Sequence, residues 1–131
     1  MQKEIYFDNS ATTKISEKAL EKYVSVSREI YGNPSSLNTT GQIAAEALAS
    51  AREKIAGLIG ATSREIFFTS GGSEADNQAI ITGARIGEKK GKKHIISTAF
   101  EHHAVLHTLK KLEKEGFEIT LLDVHENGVI T

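Results

Sequence analysis

After Gly60 the apolar residues change their spacing, and that change constrains the fold more than any other feature of the chain. Residues 65–69, with Ile66, Phe67 and Phe68 in succession, read as a compact strand. Residues 73–87 instead repeat at intervals of three and four, with Ala75, Ala79, Ile80, Gly83 and Ala84 on one side, as a helix requires. Residues 94–99 read as a second strand and 101–115 as a second helix, with Val105, Leu106, Leu109 and Leu112 inward and Gly116 closing it. Phe117, Ile119 and Leu121 then alternate in a third strand, and Asn127-Gly128 marks a turn. This β-α-β-α-β order predicts an α/β fold with parallel strands and right-handed crossovers, because consecutive parallel strands need a helix to carry the chain back.

Residues 1–60 follow another plan. Ile5-Tyr6-Phe7 predicts a short strand, and Asp8-Asn9-Ser10 supplies turn chemistry. Ser16 is placed to cap a helix whose stripe is Ala19, Leu20, Tyr23 and Val24, extending toward Ile30. Gly32-Asn33-Pro34-Ser35-Ser36 breaks it, because the residue before a proline is driven out of helical geometry. A second helix repeats Ile43, Ala44, Ala47, Leu48, Ala51, Ile55, Leu58 and Ile59, and Gly60 stands where a left-handed cap belongs. The domain reading is therefore an N-terminal strand and helical segment at 1–60, then at 61–131 the first part of a larger, mainly parallel α/β domain that is incomplete at its C-terminus. Three strands with helices on two faces need further neighbours, and Gly128-Val129-Ile130-Thr131 reads as the entry to another strand. The expectation is a portion of a larger α/β protein, whose unfinished sheet leaves an apolar edge prone to self-association.

Charge and composition narrow the function classes. A formal net charge of -1 over 131 residues supplies no global field for nucleic acid or a membrane surface. The basic run Lys89-Lys90-Gly91-Lys92-Lys93 has no interleaved aromatic residues to stack on bases, and reads as a solvated loop. The absence of cysteine excludes a disulfide framework and a Cys-ligated metal. No apolar run reaches membrane-spanning length, and MQKEIYFDN lacks the apolar core of a signal peptide. The expected place is the cytoplasm, with neither nucleic acid nor membrane as partner.

Chemistry concentrates at two strand-to-helix junctions. Gly71-Gly72-Ser73 follows the first predicted strand of the α/β part, where ligands of open parallel sheets bind. Two readings are open there: a tight turn with a helix cap, or a pocket in which helix N–H groups and the Ser73 hydroxyl hold an anion such as phosphate. Neither G-x-G-x-x-G nor G-x-x-x-x-G-K-[ST] is present, so a nucleotide motif does not explain the corner. Glu101-His102-His103 ends the next predicted strand, on the same edge as Ser73. His103 and His107 are four apart, but Ala104 follows His103 and no third ligand is evident, so no metal site is expected. His94, His103, His107 and His125 read as surface or capping residues. His102 stands apart, because an imidazole at a strand's end can stack on a ring-shaped cofactor and relay a proton.

Four stretches, in order, carry a family resemblance: Phe7-Asp8-Asn9-Ser10-Ala11-Thr12-Thr13, Tyr31-Gly32-Asn33-Pro34-Ser35-Ser36, Phe68-Thr69-Ser70-Gly71-Gly72-Ser73-Glu74-Ala75-Asp76-Asn77 and Glu101-His102-His103-Ala104-Val105. Together they resemble the N-terminal third of the class V aminotransferase family, specifically its NifS-like cysteine desulfurases. The resemblance implies a pyridoxal 5'-phosphate enzyme of fold type I, a PLP-dependent transferase fold of which this chain carries part. It also implies a homodimer that takes L-cysteine or a related amino acid, yields L-alanine and passes sulfur to an acceptor protein for iron–sulfur cluster or thiocofactor assembly. By motif, Gly72 and Ser73 match the cofactor-binding positions at the phosphate. His102 matches the histidine that stacks on the pyridine ring and is the proposed catalytic acid–base group. Asn9, Ala11 and Thr12 lie in a segment that the family folds near the active site, with turn and packing duties equally open.

The departures from the family pattern matter as much. No lysine here follows the family's serine-histidine-lysine motif, no cysteine is present to carry a persulfide, and Asn38 stands where members commonly have histidine. The chain alone is therefore expected to be inactive. Other readings stay open: a truncated, non-catalytic module that dimerises or binds a partner, or another class V enzyme such as a selenocysteine lyase or aminotransferase. A sugar-phosphate or nucleotide-binding α/β domain would explain the Gly-Gly-Ser corner but not the other three motifs.

Overall fold

Ser16 and Asn38 each close a stretch of non-helical backbone and begin a helix. In the computed structural model, which describes residues 5–130, Ser16 Oγ accepts the Ala19 N–H at 3.3 Å and opens α1 (Glu17–Glu29). Asn38 Oδ1 accepts the Gly41 N–H at 2.8 Å and opens α2 (Thr39–Ile59), which ends at Gly60 in the left-handed conformation, φ 68°. These caps satisfy donors that the first turn of a helix leaves without acceptors. Asn38, the departure from the family pattern, is thus a helix cap in this chain.

The described residues fall into two compact units, divided between Phe67 and Phe68. In the first, the turn at 32–36 folds onto the start of α2. Ser36 N–H donates to Asn33 O and Ser35 N–H to Asn33 Oδ1, both at 2.9 Å. The fit is close enough that a Cβ on Gly32 would overlap Thr40 O, and one on Gly41 would overlap the Ser36 and Asn33 carbonyl oxygens. α1 buries none of its residues, and Tyr23 of the expected stripe is 68% exposed. The face turned toward α2 runs instead through Val26 and Ile30, which line a cleft with Ala44, Ala47 and Leu48.

Two predicted strands do not form. Residues 5–7 are not paired into a sheet, and Phe7 is 88% exposed. At 65–69 the chain begins with a 3-10 turn, Ser63–Glu65, closed by Glu65 Oε2 accepting both the N–H and the hydroxyl of Thr62 at 2.8 Å. Ile66 is extended, at φ -100° and ψ 121°, yet 66–69 join no ladder. Extended backbone becomes a strand only beside a partner, and the sheet of the described residues has two strands.

The second unit runs α3 (Gly72–Glu88), β1 (His94–Thr98), α4 (His103–Lys114) and β2 (Glu118–Leu122). The order is therefore α-β-α-β, not β-α-β-α-β. β1 and β2 are parallel, with His94 opposite Glu118 and Thr98 opposite Leu122, and α4 supplies the crossover. The described residues form a mixed α/β structure of four α-helices and one two-stranded parallel sheet. Ala84 of α3, Leu112 of α4 and Phe117 form its buried cluster, with Ile80, Ile95 and Ile119 packed against it. Ile96, on the other face of β1, is 62% exposed.

α3 and α4 lie side by side and point the same way. Near their starts Asn77 reaches Ala104 and Thr108; near their ends Arg85 is paired with Glu115. Arg85 also meets Glu88 at 3.0 Å, and Lys93 meets Glu88 at 2.8 Å. Both cations stand 5.6 Å from the centre of the Phe117 ring.

The glycine contacts give a paired test. Gly41→Ala should lower the stability of the first unit by about 1–3 kcal/mol, the usual cost of forcing atoms into a filled space. Gly57, in the interior of α2 with nothing within 4 Å of its Cβ direction, should behave oppositely. Gly57→Ala should raise stability by about 0.5–1 kcal/mol. Urea unfolding of the two variants measures both, and equal effects would contradict the packing described.

Candidate functional site

The start of α3 is held from behind. Its N-cap, Gly71, has no side chain to offer, and Glu74 turns back instead. Glu74 Oε2 accepts the Ser70 N–H at 2.7 Å and the Ser70 hydroxyl at 2.6 Å, while Thr69 Oγ1 donates to Gly71 O at 3.1 Å. The first intrahelical bond runs from Ala75 N–H to Gly71 O. Helix geometry therefore leaves the N–H groups of Gly72, Ser73 and Glu74 without acceptors from the helix itself. Gly71 has φ 169°, extended backbone open to any residue, so the turn does not demand glycine there. What Gly71 and Gly72 provide is space: a Cβ on either would meet nothing within 4 Å.

The start of α4 is built differently. Thr98 Oγ1 donates to Glu101 Oε1 at 2.8 Å and holds the loop leaving β1. His102 is the N-cap, and its Nδ1 accepts the Ala104 N–H at 3.1 Å. An accepting Nδ1 carries no proton, so in the neutral ring the proton lies on Nε2.

Parallel packing brings the two starts to one cleft of about 480 Å³. Ser73 and His102 both line it, joined by His103, His107 and Lys111, with Asn77 and Thr108 between the helices. Gly72 lies one residue before Ser73, at the first position of α3, and is not part of the lining. No carboxylate lines the cleft. Two helix starts and the Lys111 ammonium give the cleft a positive potential. His103 and His107 stack on each other, ring centres 5.4 Å apart and planes at 22°. Among the described residues no group of three His, Cys, Asp or Glu side chains is arranged to hold a metal ion. Asn9, Ala11 and Thr12 belong to an exposed turn, in which the Ala11 and Thr12 N–H groups donate to Asp8 O at 3.2 and 3.4 Å.

Sequence reasoning passed over Asn77, Thr108 and Lys111. The available signal was spacing: Asn77 is four residues after Ser73, Thr108 four after Ala104, and His103, His107 and Lys111 repeat every four along one face of α4.

A parallel α/β unit whose helix starts converge on one cleft has the architecture in which open-sheet proteins place their ligands. Comparison with known proteins is specific: the family described as Aminotransferase class-V matches residues 5–131, and the chain belongs to that family. It is 48% identical over 131 residues to a cysteine desulfurase IscS of Clostridium botulinum (strain Hall), covering 100% of this chain and 33% of that protein. A solved NifS-like protein matches with a TM-score of 0.89 at 42% identity, over 97% of this chain and 35% of the other. A structure described as SspA in complex with cysteine matches with a TM-score of 0.80 at 36% identity, over 91% of this chain and 34% of the other. The chain spans about a third of the length of the curated relatives it matches, and it corresponds to the N-terminal portion of NifS-like desulfurases.

The Glu74 brace yields a pH test. Hydrogen bonds from the Ser70 hydroxyl, and then from its N–H, hold the Glu74 carboxyl below its ordinary value of 4.5. A folded-state value below the unfolded one contributes stability above the unfolded value, and that contribution disappears as pH falls through the folded value. The stability advantage of the natural chain over Glu74→Gln should therefore hold near neutrality and shrink steadily below about pH 4.5. Chemical unfolding of both proteins across that range measures it; a gap that widens in acid would refute the brace.

Proposed function

We propose that this chain is the N-terminal portion of a pyridoxal 5'-phosphate-dependent, cysteine desulfurase-like enzyme of fold type I. The complete enzyme converts L-cysteine to L-alanine and enzyme-bound sulfur, hands that sulfur to an acceptor protein, and works as a homodimer. One observation carries the reading: α3 and α4 begin side by side, and Ser73 and His102 line one cleft free of carboxylates. The bound cysteine in the SspA structure supports the substrate class.

The residues present suit such a cofactor. The N–H groups at the start of α3 and the Ser73 hydroxyl receive the phosphate, and the open space at Gly71 and Gly72 lets it approach the backbone. When bound, the cofactor supplies an electron-accepting ring that stabilises negative charge at the reacting carbon of an amino acid. His102 covers that ring. Its Nδ1 is occupied by the Ala104 N–H, which fixes the imidazole plane and leaves Nε2 to hold or hand over a proton. His103 lines the same cleft but is a helical residue stacked on His107, whereas His102 is the N-cap with Nδ1 held by the Ala104 N–H.

The absence of cysteine favours a second reading for the chain acting alone, as a non-catalytic module that dimerises or binds a partner. Desulfuration needs a thiolate to take up sulfur and a lysine to hold the cofactor covalently. The isolated chain should therefore produce no alanine, and no sulfide in the presence of a thiol reductant, above a no-protein control, even with cofactor added. Turnover in a preparation free of host enzyme would overturn this expectation.

Pyridoxine 5'-phosphate tests the site itself, because it keeps ring and phosphate but lacks the aldehyde that surface lysines capture. Ser73→Ala should weaken its binding by about 1.5–3 kcal/mol, the range for a hydrogen bond to a charged group. His102→Ala should change the ring fluorescence of the bound probe while leaving inorganic phosphate binding nearly intact. His103→Ala should do little to either. A damaging His103→Ala beside a silent His102→Ala would transfer the ring contact to the wrong histidine and sink the assignment.

A further inference from the structure

The phosphate corner and the ring-covering histidine stand on different helices, so their separation depends on whatever joins those helices near their starts. Asn77 makes that joint. Its Nδ2 donates to Ser73 O at 2.7 Å within α3 and to Ala104 O at 3.3 Å in α4. Its Oδ1 accepts the Thr108 hydroxyl at 2.6 Å, and the same hydroxyl lies 2.8 Å from Ala104 O. Thr108 is 3% exposed. The amide cannot be turned over without setting its oxygen against two carbonyl oxygens, so the network fixes its orientation.

Both backbone groups that Asn77 grips belong to the site. One is the carbonyl of Ser73; the other is the carbonyl of Ala104, whose N–H is bound by His102 Nδ1. Two parallel helices also set their positive ends together, which pushes those ends apart. The apolar cluster and the Arg85–Glu115 pair hold the helices further along, so Asn77 and Thr108 oppose that splaying at the cleft.

We propose that Asn77 and Thr108 are positioning residues, which tie the first turns of α3 and α4 together so that the Ser73 corner and the His102 ring keep the separation a phosphorylated pyridine needs. The proposal rests on the reading of Ser73 and His102 given above, and it assigns a role to two residues that do not themselves touch the reacting atoms.

The test compares two probes on the intact chain: pyridoxine 5'-phosphate, which spans both corners, and inorganic phosphate, which needs only the α3 corner. Asn77→Ala and the near-isosteric Thr108→Val should each weaken pyridoxine 5'-phosphate about tenfold, as expected for one lost hydrogen bond at the upper end of its range. Inorganic phosphate should change by less than about twofold, because its donors remain in place. Thr108→Ser, which keeps the hydroxyl, should restore the natural affinity. Amide hydrogen exchange should quicken at Val105 and Leu106, whose N–H groups donate to His102 O, and stay unchanged in β1 and β2. Equal losses for both probes, or exchange that quickens throughout the unit, would mean that the pair serves stability alone and would overturn the proposal. Variants that bind both probes as the natural chain does would overturn it while leaving the site reading intact. A natural chain that binds neither probe would overturn both.

Discussion

The parallel contact between α3 and α4 is the arrangement on which the rest of the second unit depends. Each helix begins where a ligand would meet it, and each would present only a single N-terminus if it packed alone. Side by side and pointing one way, they bring Ser73, His102 and Lys111 to a common cleft. The same geometry lets α4 cross over between β1 and β2 with strands in parallel register. The fold and the candidate site are two outcomes of one packing choice.

Different forces hold that contact at different points along its length. Leu112, 1% exposed near the end of α4, and Phe117, 4% exposed just beyond it, anchor the far end, and burying one such side chain is worth about 1.5–3 kcal/mol. The ion pairs around Arg85 and Glu88 are solvent-exposed, and water and salt screen pairs of that kind. Burial therefore supplies most of the attraction, and the exposed charges add little to it. Lys93 and Arg85 over Phe117 connect the two effects, since the ring that fills the core also faces both cations. At the cleft, neutral hydrogen bonds through Asn77 and the buried Thr108 hydroxyl join the helices.

The glycines separate into those that the fold needs and those that leave room. Gly32 and Gly41 are pressed against carbonyl oxygens, and Gly60 occupies a left-handed cap. Gly71 and Gly72 press against nothing. Open backbone at the start of α3 fits either a tight turn or a receiving surface, and the proposed function takes the second. Family membership is established over residues 5–131, and under the proposed function that corner receives the cofactor phosphate.

Sequence alone determined the features that rest on neighbours in the chain. Ser16 and Gly60 announced helix ends because capping acts over three or four residues, whereas the Asn38 cap was found only in the structure. The spacing of Leu109 and Leu112 announced the buried side of α4 for the same reason. Ser73 and His102 were legible because each sits at a junction where a helical pattern begins. Tertiary structure decided what rests on distant residues. Residues 66–69 are apolar and extended at Ile66, but a strand is defined by a partner, and local pattern cannot name one. The Asn77–Thr108 bond joins positions 31 apart, so no periodicity reveals it. The separation of Ser73 from His102 belongs to this second class: it exists only once the two helices have packed, because the bonds that set it run between elements rather than along them.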